Sequence, residues 1–183
     1  SQAWLMGVGA RGDYDAADGY GALGTDSSGY VLGYDFGPRD GAIVGASFGV
    51  VKTDTDVAAA AASGRIESKT GSLYASLFDE RWFLDAGFGY ADEDYADQRR
   101  VSIGSLERVA GSAHGGEAWS GFLGAGRRYG AERWAVAPYG SIHYYHVAED
   151  AFVESRAGDV DQVVGARSTA SLRAEAGAVL SRL

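Results

Sequence analysis

The sequence has no cysteine and only two prolines among its 183 residues. The lack of thiols excludes disulfide bridges, thiolate metal sites and cysteine nucleophiles. Long apolar runs are also absent, since no stretch approaches the roughly 18 to 20 residues that a membrane-spanning helix requires. Basic residues are in the minority, because 25 Asp and Glu stand against 16 Lys and Arg and give a formal net charge of -9. A surface of that sign repels nucleic acid, so no nucleic-acid partner is expected.

Glycine and aromatic residues, by contrast, are abundant. The chain has 28 glycines, and aromatic residues make up 12% of it. Its length suits a single domain, residues 1–183, and its composition favours β structure. A membrane-spanning β-strand needs only about 9 to 11 residues with one apolar face, a pattern that leaves overall hydropathy near neutral. The mean hydropathy of -0.15 is therefore compatible with a β-sheet in a membrane.

An alternation of large apolar residues with small or polar ones predicts strands. After Arg81, the residues Trp82, Leu84 and Phe88 face one way, while Gly87 faces the other. That period of two is the signature of a strand with one apolar face. Eight strands are predicted in this way: residues 4–11, 30–36, 44–50, 67–78, 82–90, 117–129, 134–147 and 168–182.

The predicted connections alternate between short and long along the whole chain. The short ones are residues 37–41, 79–81 and 130–133. The long ones are residues 13–29, 52–65, 92–116 and 148–167. In an up-and-down meander all short turns then lie at one rim and all long loops at the other, as in outer-membrane barrels. The sequence therefore predicts an all-β fold, an antiparallel up-and-down transmembrane β-barrel with eight strands in this chain.

Aromatic residues cluster near the ends of the predicted strands. Amphipathic rings favour the depth of the lipid headgroups, so these residues are predicted to form membrane-interface girdles. They are Trp4, Phe36, Trp82, Tyr90, Trp119, Tyr129, Trp134 and Tyr144. Two other interpretations stay open here. One is a small eight-stranded outer-membrane anchor or adhesin without transport, and the other is a soluble lipocalin-like ligand binder with its apolar set inside.

Charged residues on the opposite face are candidates for lining a lumen, because charges there stay hydrated or pair across it. They are Asp35, Asp85, Arg128, Glu154, Arg173 and Glu175. A match to the dinucleotide pattern G-x-G-x-x-G at residues 7–12 lies within a predicted strand and opens no helix, so no cofactor is expected. His143 and His146 are three residues apart, which places them on opposite faces of a strand. No histidine-based metal site is expected, while ion binding by the acidic loops stays open.

Several segments, taken together, resemble a known family. Residues 4–13, WLMGVGARGD, look like the first strand of the autotransporter (type V secretion) β-domain. Residues 29–36, GYVLGYDF, are similar to that domain's Gly-x-x-x-Gly-x-Asp segment, and GASFG at residues 45–49 follows as its hairpin partner. Residues 82–90, 137–139 and 152–154 resemble later segments of the family, in the same order.

The resemblance implies a translocator barrel of twelve antiparallel strands in the bacterial outer membrane, which mediates export of its own passenger to the cell surface. Its implied partners are that passenger, outer-membrane lipid and lipopolysaccharide, and the outer-membrane barrel assembly machinery. The family's barrel ends in an aromatic residue, whereas residues 180–183 read LSRL after eight strands. We therefore expect either a domain without the last four strands or a shortened barrel whose eight strands close on themselves. No catalytic residue is assigned, and the chain is not expected to be an enzyme.

Overall fold

A computed structural model describes residues 1–16, 22–57, 61–131 and 134–182. In chain order the strands are β1 (Gln2–Tyr14), β2 (Leu23–Arg39), β3 (Ala42–Val57), β4 (Ala62–Phe78), β5 (Trp82–Ile103), β6 (Leu106–Arg127), β7 (Tyr129–Ala131), β8 (Trp134–Glu149), β9 (Phe152–Val153), β10 (Val163–Val164) and β11 (Arg167–Arg182). A short 3-10 helix, Gly158–Val160, lies between β9 and β10. Within the described ranges no helix has the length and apolarity to span a bilayer.

Eight long strands form one antiparallel sheet in the order β1-β2-β3-β4-β5-β6-β8-β11. Each of them therefore pairs with the long strand that precedes or follows it in the chain. The short β7 pairs with β8, while β9 and β10 form a separate two-stranded sheet. The prediction of an antiparallel up-and-down arrangement of eight strands is confirmed.

Tight turns join the strands at one end of the sheet. Asp40 and Gly41 connect β2 to β3, and Gly41 has a φ of 73°, in the left-handed region that favours glycine. Between β4 and β5, Asp79 Oδ1 accepts hydrogen bonds from the backbone N–H groups of Arg81 and Trp82, at 2.6 and 2.9 Å. A side chain that bonds the backbone just ahead of it stabilises such a turn. The third predicted short connection, residues 130–133, lies partly outside the described residues.

Most of the predicted long loops are wrong. β5 and β6 each contain 22 residues and stay paired as far as Ile103 and Leu106. The segment 92–116 is therefore a long hairpin. β2 and β3 likewise stay paired as far as Leu23 and Val57. The apolar alternation ends before the backbone hydrogen bonding does, so it identifies only part of each strand.

The sheet is open in the part of the chain that the structure describes. β1 pairs only with β2, and β11 pairs only with β8. Of the two alternatives given above, the shortened barrel whose eight strands close on themselves does not agree with this sheet. Both edge strands present backbone donors and acceptors that have no partner in the sheet.

The register places large apolar side chains on one face of the sheet, which we call the outer face. Leu32 lies opposite Phe48, and Leu73 lies opposite Phe88. Their exposed fractions are 55%, 54%, 64% and 50%, respectively. Across the described residues no large side chain is fully buried. A soluble lipocalin-like binder would bury this set, so that alternative is wrong, and a belt of this kind suits lipid.

Candidate functional site, the inner face and its mouth

Small residues line the opposite face of the sheet, which we call the inner face. On the central strands they are Gly45, Ser47, Gly49, Ser72, Gly87, Gly89, Ser120 and Gly124. The hydroxyls of Ser47 and Ser72 lie 2.7 Å apart and form a hydrogen bond with each other. A cavity of about 570 Å³ lies against this wall and is bounded also by Tyr74, Asp85 and His143. The outer face is therefore apolar, whereas the inner face mixes glycine, serine and charged residues with a few aromatic rings such as Tyr74 and Phe122.

Asp35 holds a hydrogen-bond network at the turn end of the inner face. Trp4 Nε1 donates to Asp35 Oδ1 at 3.2 Å, and the Tyr74 hydroxyl donates to the same oxygen. The two rings cover Gly33 and Gly45, where an added Cβ would clash with them. The network ties β1, β2 and β4 together across the sheet.

Trp4 does not belong to a membrane-interface girdle, contrary to the prediction. It lies opposite Gly33 and so shares the inner face with Asp35. The physical reason is that β1 carries apolar side chains on both faces, with Met6 on the inner face and Leu5 on the outer. The alternation within β1 alone therefore does not define which face meets lipid.

Three of the other predicted lumen residues lie on the inner face. Ser76 Oγ donates a hydrogen bond to Asp85 Oδ1 at 2.5 Å. Arg173 and Glu175 lie two residues apart on β11, and their charged groups are 3.1 Å apart. β11 places Arg173 opposite His143 on β8. These pairs are separate from the Asp35 network.

Arg128 and Glu154 lie away from this wall, at opposite ends of the sheet. Arg128 borders a hollow at the turn end with Glu80 and Arg81, and its backbone N–H donates to the Arg81 carbonyl at 2.5 Å. Glu154 lies at the loop end, where it pairs with Arg99 at 2.5 Å. The six predicted residues are thus spread over wall, turn end and loop end and form no single cluster.

The other predicted interface aromatics lie on the outer face. Trp119 contacts Tyr90 and Phe88, with ring centroids 4.5 and 5.5 Å apart. Tyr144 shares this face, because it lies opposite Gly121 on β6. Toward the turn end, rings with exposed fractions of 41% to 54% belong to Phe36, Trp82, Tyr129 and Trp134. Two rows of half-exposed rings therefore bound the apolar surface.

His143 and His146 lie on opposite faces, as their spacing predicts. His143 lies opposite Phe122 on the inner face, and its Nε2 is 3.0 Å from Ser141 Oγ. His146 lies opposite Trp119 on the outer face. In the described ranges no three His, Asp or Glu side chains come together in an arrangement that could hold a metal ion.

One cluster was missed by the sequence interpretation, because most of it lies in a segment predicted as a loop. At the loop end of the inner face, which we call the mouth, His114 stacks between Tyr95 and Phe152, with centroids at 4.8 and 4.1 Å. The His114 side chain is 2% exposed, and its ring nitrogens lie 4.0 Å from Asp97 Oδ2 and 3.7 Å from Glu149 Oε2. Burial raises the pKa of the Asp97 carboxyl. The mouth is packed, unlike the wall below it.

A polar alternation in the sequence could have revealed this cluster. Glu93, Tyr95, Asp97 and Arg99 recur at every second residue and share the inner face. Glu93 is 9% exposed and accepts hydrogen bonds from the Tyr95 hydroxyl and, at 3.4 Å, from Ser68 Oγ. The strand period continues here in polar side chains, so a search for apolar alternation does not detect it.

These features agree with a match to a protein family. The family model of the autotransporter beta-domain matches residues 3–183. The chain belongs to this family. An autotransporter β-domain lies in the bacterial outer membrane as a translocator barrel, and that class accounts for the outer and inner faces described above.

A solved structure of another family member has a similar fold. It is the translocator domain of autotransporter NalP from Neisseria meningitidis, with a TM-score of 0.80 and 14% sequence identity. The match covers 97% of this β-domain and 60% of that chain. At this identity the likeness concerns the fold alone.

Curated relatives are much longer than this β-domain. An uncharacterized protein in the trpE-trpG intergenic region of Pseudomonas putida is 30% identical over 134 residues, which are 70% of this chain and 23% of that protein. Esterase EstA of Pseudomonas aeruginosa is 27% identical over 162 residues, which are 85% of this chain and 25% of that protein. The chain therefore spans about a quarter of the length of these relatives.

Proposed function

We propose that the inner face is the surface along which this autotransporter β-domain passes its passenger across the outer membrane. The observation that carries the proposal is the contrast between the two faces. Large apolar side chains cover the outer face, whereas the inner face combines glycine, serine and charged residues with a few rings such as Phe122, beside a cavity of about 570 Å³. Lipid suits the first surface, and a hydrated polypeptide suits the second.

The polar groups of the wall suit contact without tight binding. Ser47 bonds to Ser72, and Ser76 bonds to Asp85. Asp35 accepts from an indole and a phenol of the same wall. Donors and acceptors that already have partners gain little by exchanging them for those of a passing chain. The wall thus favours movement of the passenger over its retention.

We infer that the described residues of this chain include no catalytic residue. The Ser47 hydroxyl is occupied by Ser72, and His143 bonds to Ser141. Neither pair includes the third, orienting group that an activated serine nucleophile requires. The word esterase in the name of EstA describes a protein four times longer than the part it shares with this chain, so we do not transfer that activity.

We propose lipid and protein partners for the remaining surfaces. Outer-membrane lipid and lipopolysaccharide would cover the outer face and its rows of rings. The edges of β1 and β11 have no partner in the described sheet, and hydrocarbon cannot satisfy backbone donors and acceptors. We propose that further strands of the full-length protein complete the sheet, and that the outer-membrane barrel assembly machinery guides its insertion.

Two neighbouring residues on β6 allow a matched test of the route. Ser120 lies on the inner face and Gly121 on the outer face. In cells that express the full-length protein, Ser120→Trp should reduce the passenger at the cell surface, because the indole obstructs the wall. Gly121→Trp should leave surface passenger unchanged, since its indole meets lipid. Antibody binding to intact cells measures display, and the amount of folded barrel in the membrane serves as the control. Equal display from the two variants, at equal barrel levels, contradicts the proposed route.

A further inference from the structure

The connection between β8 and β11, residues 150–166, folds back over the mouth. Phe152 stacks on the His114 ring at a centroid distance of 4.1 Å. Glu154 accepts two hydrogen bonds from the Arg99 guanidinium, at 3.0 and 2.5 Å. His114 and Arg99 both lie on the inner face of the β5–β6 hairpin. The connection therefore covers that side of the mouth.

These contacts are buried, although most of the sheet is exposed. The Glu154 side chain is 10% exposed, and the His114 side chain is 2% exposed. Ala110 on β6 and Ala157 in the connection, at 0% and 5%, are among the few buried apolar residues of the described chain. The mouth thus has the packing of a small core.

The connection also has a structure of its own. β9 and β10 pair within it, with Phe152 opposite Val164. The Gln162 backbone N–H donates to Glu154 at 2.9 Å. The Asp161 carboxylate accepts from two backbone N–H groups that precede it, at 2.9 and 3.0 Å. Internal bonds of this kind let a segment move as one body.

The attachment of this body to the sheet is narrow. Past Asp150, the backbone-to-backbone hydrogen bonds that join it to the described sheet are the two of 2.9 Å that Gly111 and Ser155 exchange. Side chains add the Arg99–Glu154 ion pair, the His114 stack, a hydrogen bond of 3.3 Å from Arg99 to the Val160 carbonyl, and one of 3.2 Å from the Ser155 hydroxyl to the Gly111 carbonyl. A few localised contacts are what a reversible closure requires.

We propose that residues 150–166 form a lid over the mouth, with the Arg99–Glu154 ion pair and the His114–Phe152 stack as its latch. The closed lid narrows the loop end of the passenger's route, and the passenger leaves when the lid swings away on its connections to β8 and β11. The lid rests on the proposed function, because it assumes that a passenger leaves through the mouth, but its closure is measurable independently of passenger display. If the connection instead served as a fixed support for the β5–β6 hairpin, it would never have to leave the mouth.

A disulfide lock distinguishes a lid from a fixed support. This chain has no cysteine, so introduced thiols are its only ones. Gly111 and Ser155 form a hydrogen-bonded antiparallel pair, whose Cα separation of about 5.5 Å suits a disulfide. The Arg156 guanidinium lies over Gly111, so the new side chain has to displace the end of that flexible side chain. Gly111→Cys and Ser155→Cys are combined in the full-length protein, and thiol labelling verifies that the bridge has formed. The expected result is loss of passenger display in the oxidised protein and recovery after reduction, with both single variants unchanged. Normal display from the oxidised protein overturns the lid.

Two further comparisons distinguish a failure of the lid proposal from a failure of the proposed passenger route. If Ser120→Trp abolishes display and the oxidised lock does not, the route stands and the lid is wrong. If the lock abolishes display and Ser120→Trp does not, closure of the mouth stands and the wall is not the contact surface. Independently of passenger display, the combination of Arg99→Ala and Phe152→Ala should raise the conductance of the full-length protein in planar bilayers. Unchanged conductance contradicts a latch.

Discussion

The two ends of the same sheet distribute their side chains in opposite ways. In the membrane band, which reaches the Tyr90–Trp119 contact, the outer face carries large apolar side chains, and the inner face carries mostly glycine, serine and charged residues with a few rings. In the extension beyond it, charged pairs such as Lys69 and Asp94, 2.9 Å apart, face outward. Large side chains there face inward and pack beneath residues 150–166.

The backbone pairing is continuous across this boundary, so hydrogen bonding does not explain the change. The change follows from what surrounds each face. In the band, the outer face meets lipid and the inner face meets water, whereas in the extension the outer face meets water and the inner face meets packed protein. Exposed ion pairs on the outer surface of the extension contribute little to stability, because water and salt screen them. The extension therefore depends on its inner packing, whereas the band depends on lipid.

The largest expected effect comes from a charge placed in the band. Ala86 lies on the outer face between Leu84 and Phe88, so Ala86→Arg brings a cation into hydrocarbon at a cost of about 2–4 kcal/mol near the midplane. In Ser120→Arg, the guanidinium lies on the inner face and stays hydrated, so the loss in free energy of unfolding should be much smaller. Urea unfolding of both variants of the full-length protein in phospholipid vesicles measures the difference. Equal losses would show that the two faces are not distinguished by lipid.

A smaller effect is expected from the inner wall of the band. Tyr74→Phe removes a hydrogen bond to the Asp35 carboxylate and should cost about 1.5–3 kcal/mol, the range for bonds to charged groups. Tyr144→Phe on the outer face is the matched control, because the Tyr144 ring is exposed at 46%. The same unfolding measurement applies. A loss from Tyr144→Phe as large as that from Tyr74→Phe would contradict the Asp35 network.

The smallest expected effect concerns the extension and its dependence on pH. The hydrogen bond from Arg99 lowers the pKa of Glu154 below its ordinary value of 4.5. A lowered pKa means that the ion pair contributes fully above pH 4.5 and is lost as the pH falls through the lowered value. A spin label at Asp159→Cys should therefore gain mobility in that acidic range. In a Glu154→Gln background the label should be mobile throughout, and an acid transition of the same size in that background would rule out Glu154 as its cause.

The band could be predicted from the sequence because successive residues on its strands differ in chemical type as well as in the face they occupy. Trp82, Leu84 and Phe88 differ sharply from Asp85 and Gly87, so both the strand and its outer face follow from residue types. Short turns follow from their Gly, Asp and Pro residues for the same reason. The family resemblance extended this interpretation to the class of barrel.

The extension could not be predicted in the same way, because both of its faces are polar in sequence. Glu93 and Arg99 lie inward, and Lys69 and Asp94 lie outward, so residue type does not separate the faces. The pairing of Phe152 with His114 joins residues 38 positions apart and leaves no local signal. Trp4 was misplaced for a related reason, since β1 is apolar on both faces.

The contrast between lipid outside and water inside is tested most directly by single cysteines along β4, each labelled with a fluorophore in the full-length protein. The outward set comprises Leu73, Ala75 and Leu77, and the inward set comprises Ser72, Tyr74 and Ser76. We expect a lipid-dissolved quencher to act on the outward set and a water-soluble quencher to act on the inward set, in strict alternation. Quenching of both sets by the same agent would contradict a sheet that separates lipid from a hydrated lumen.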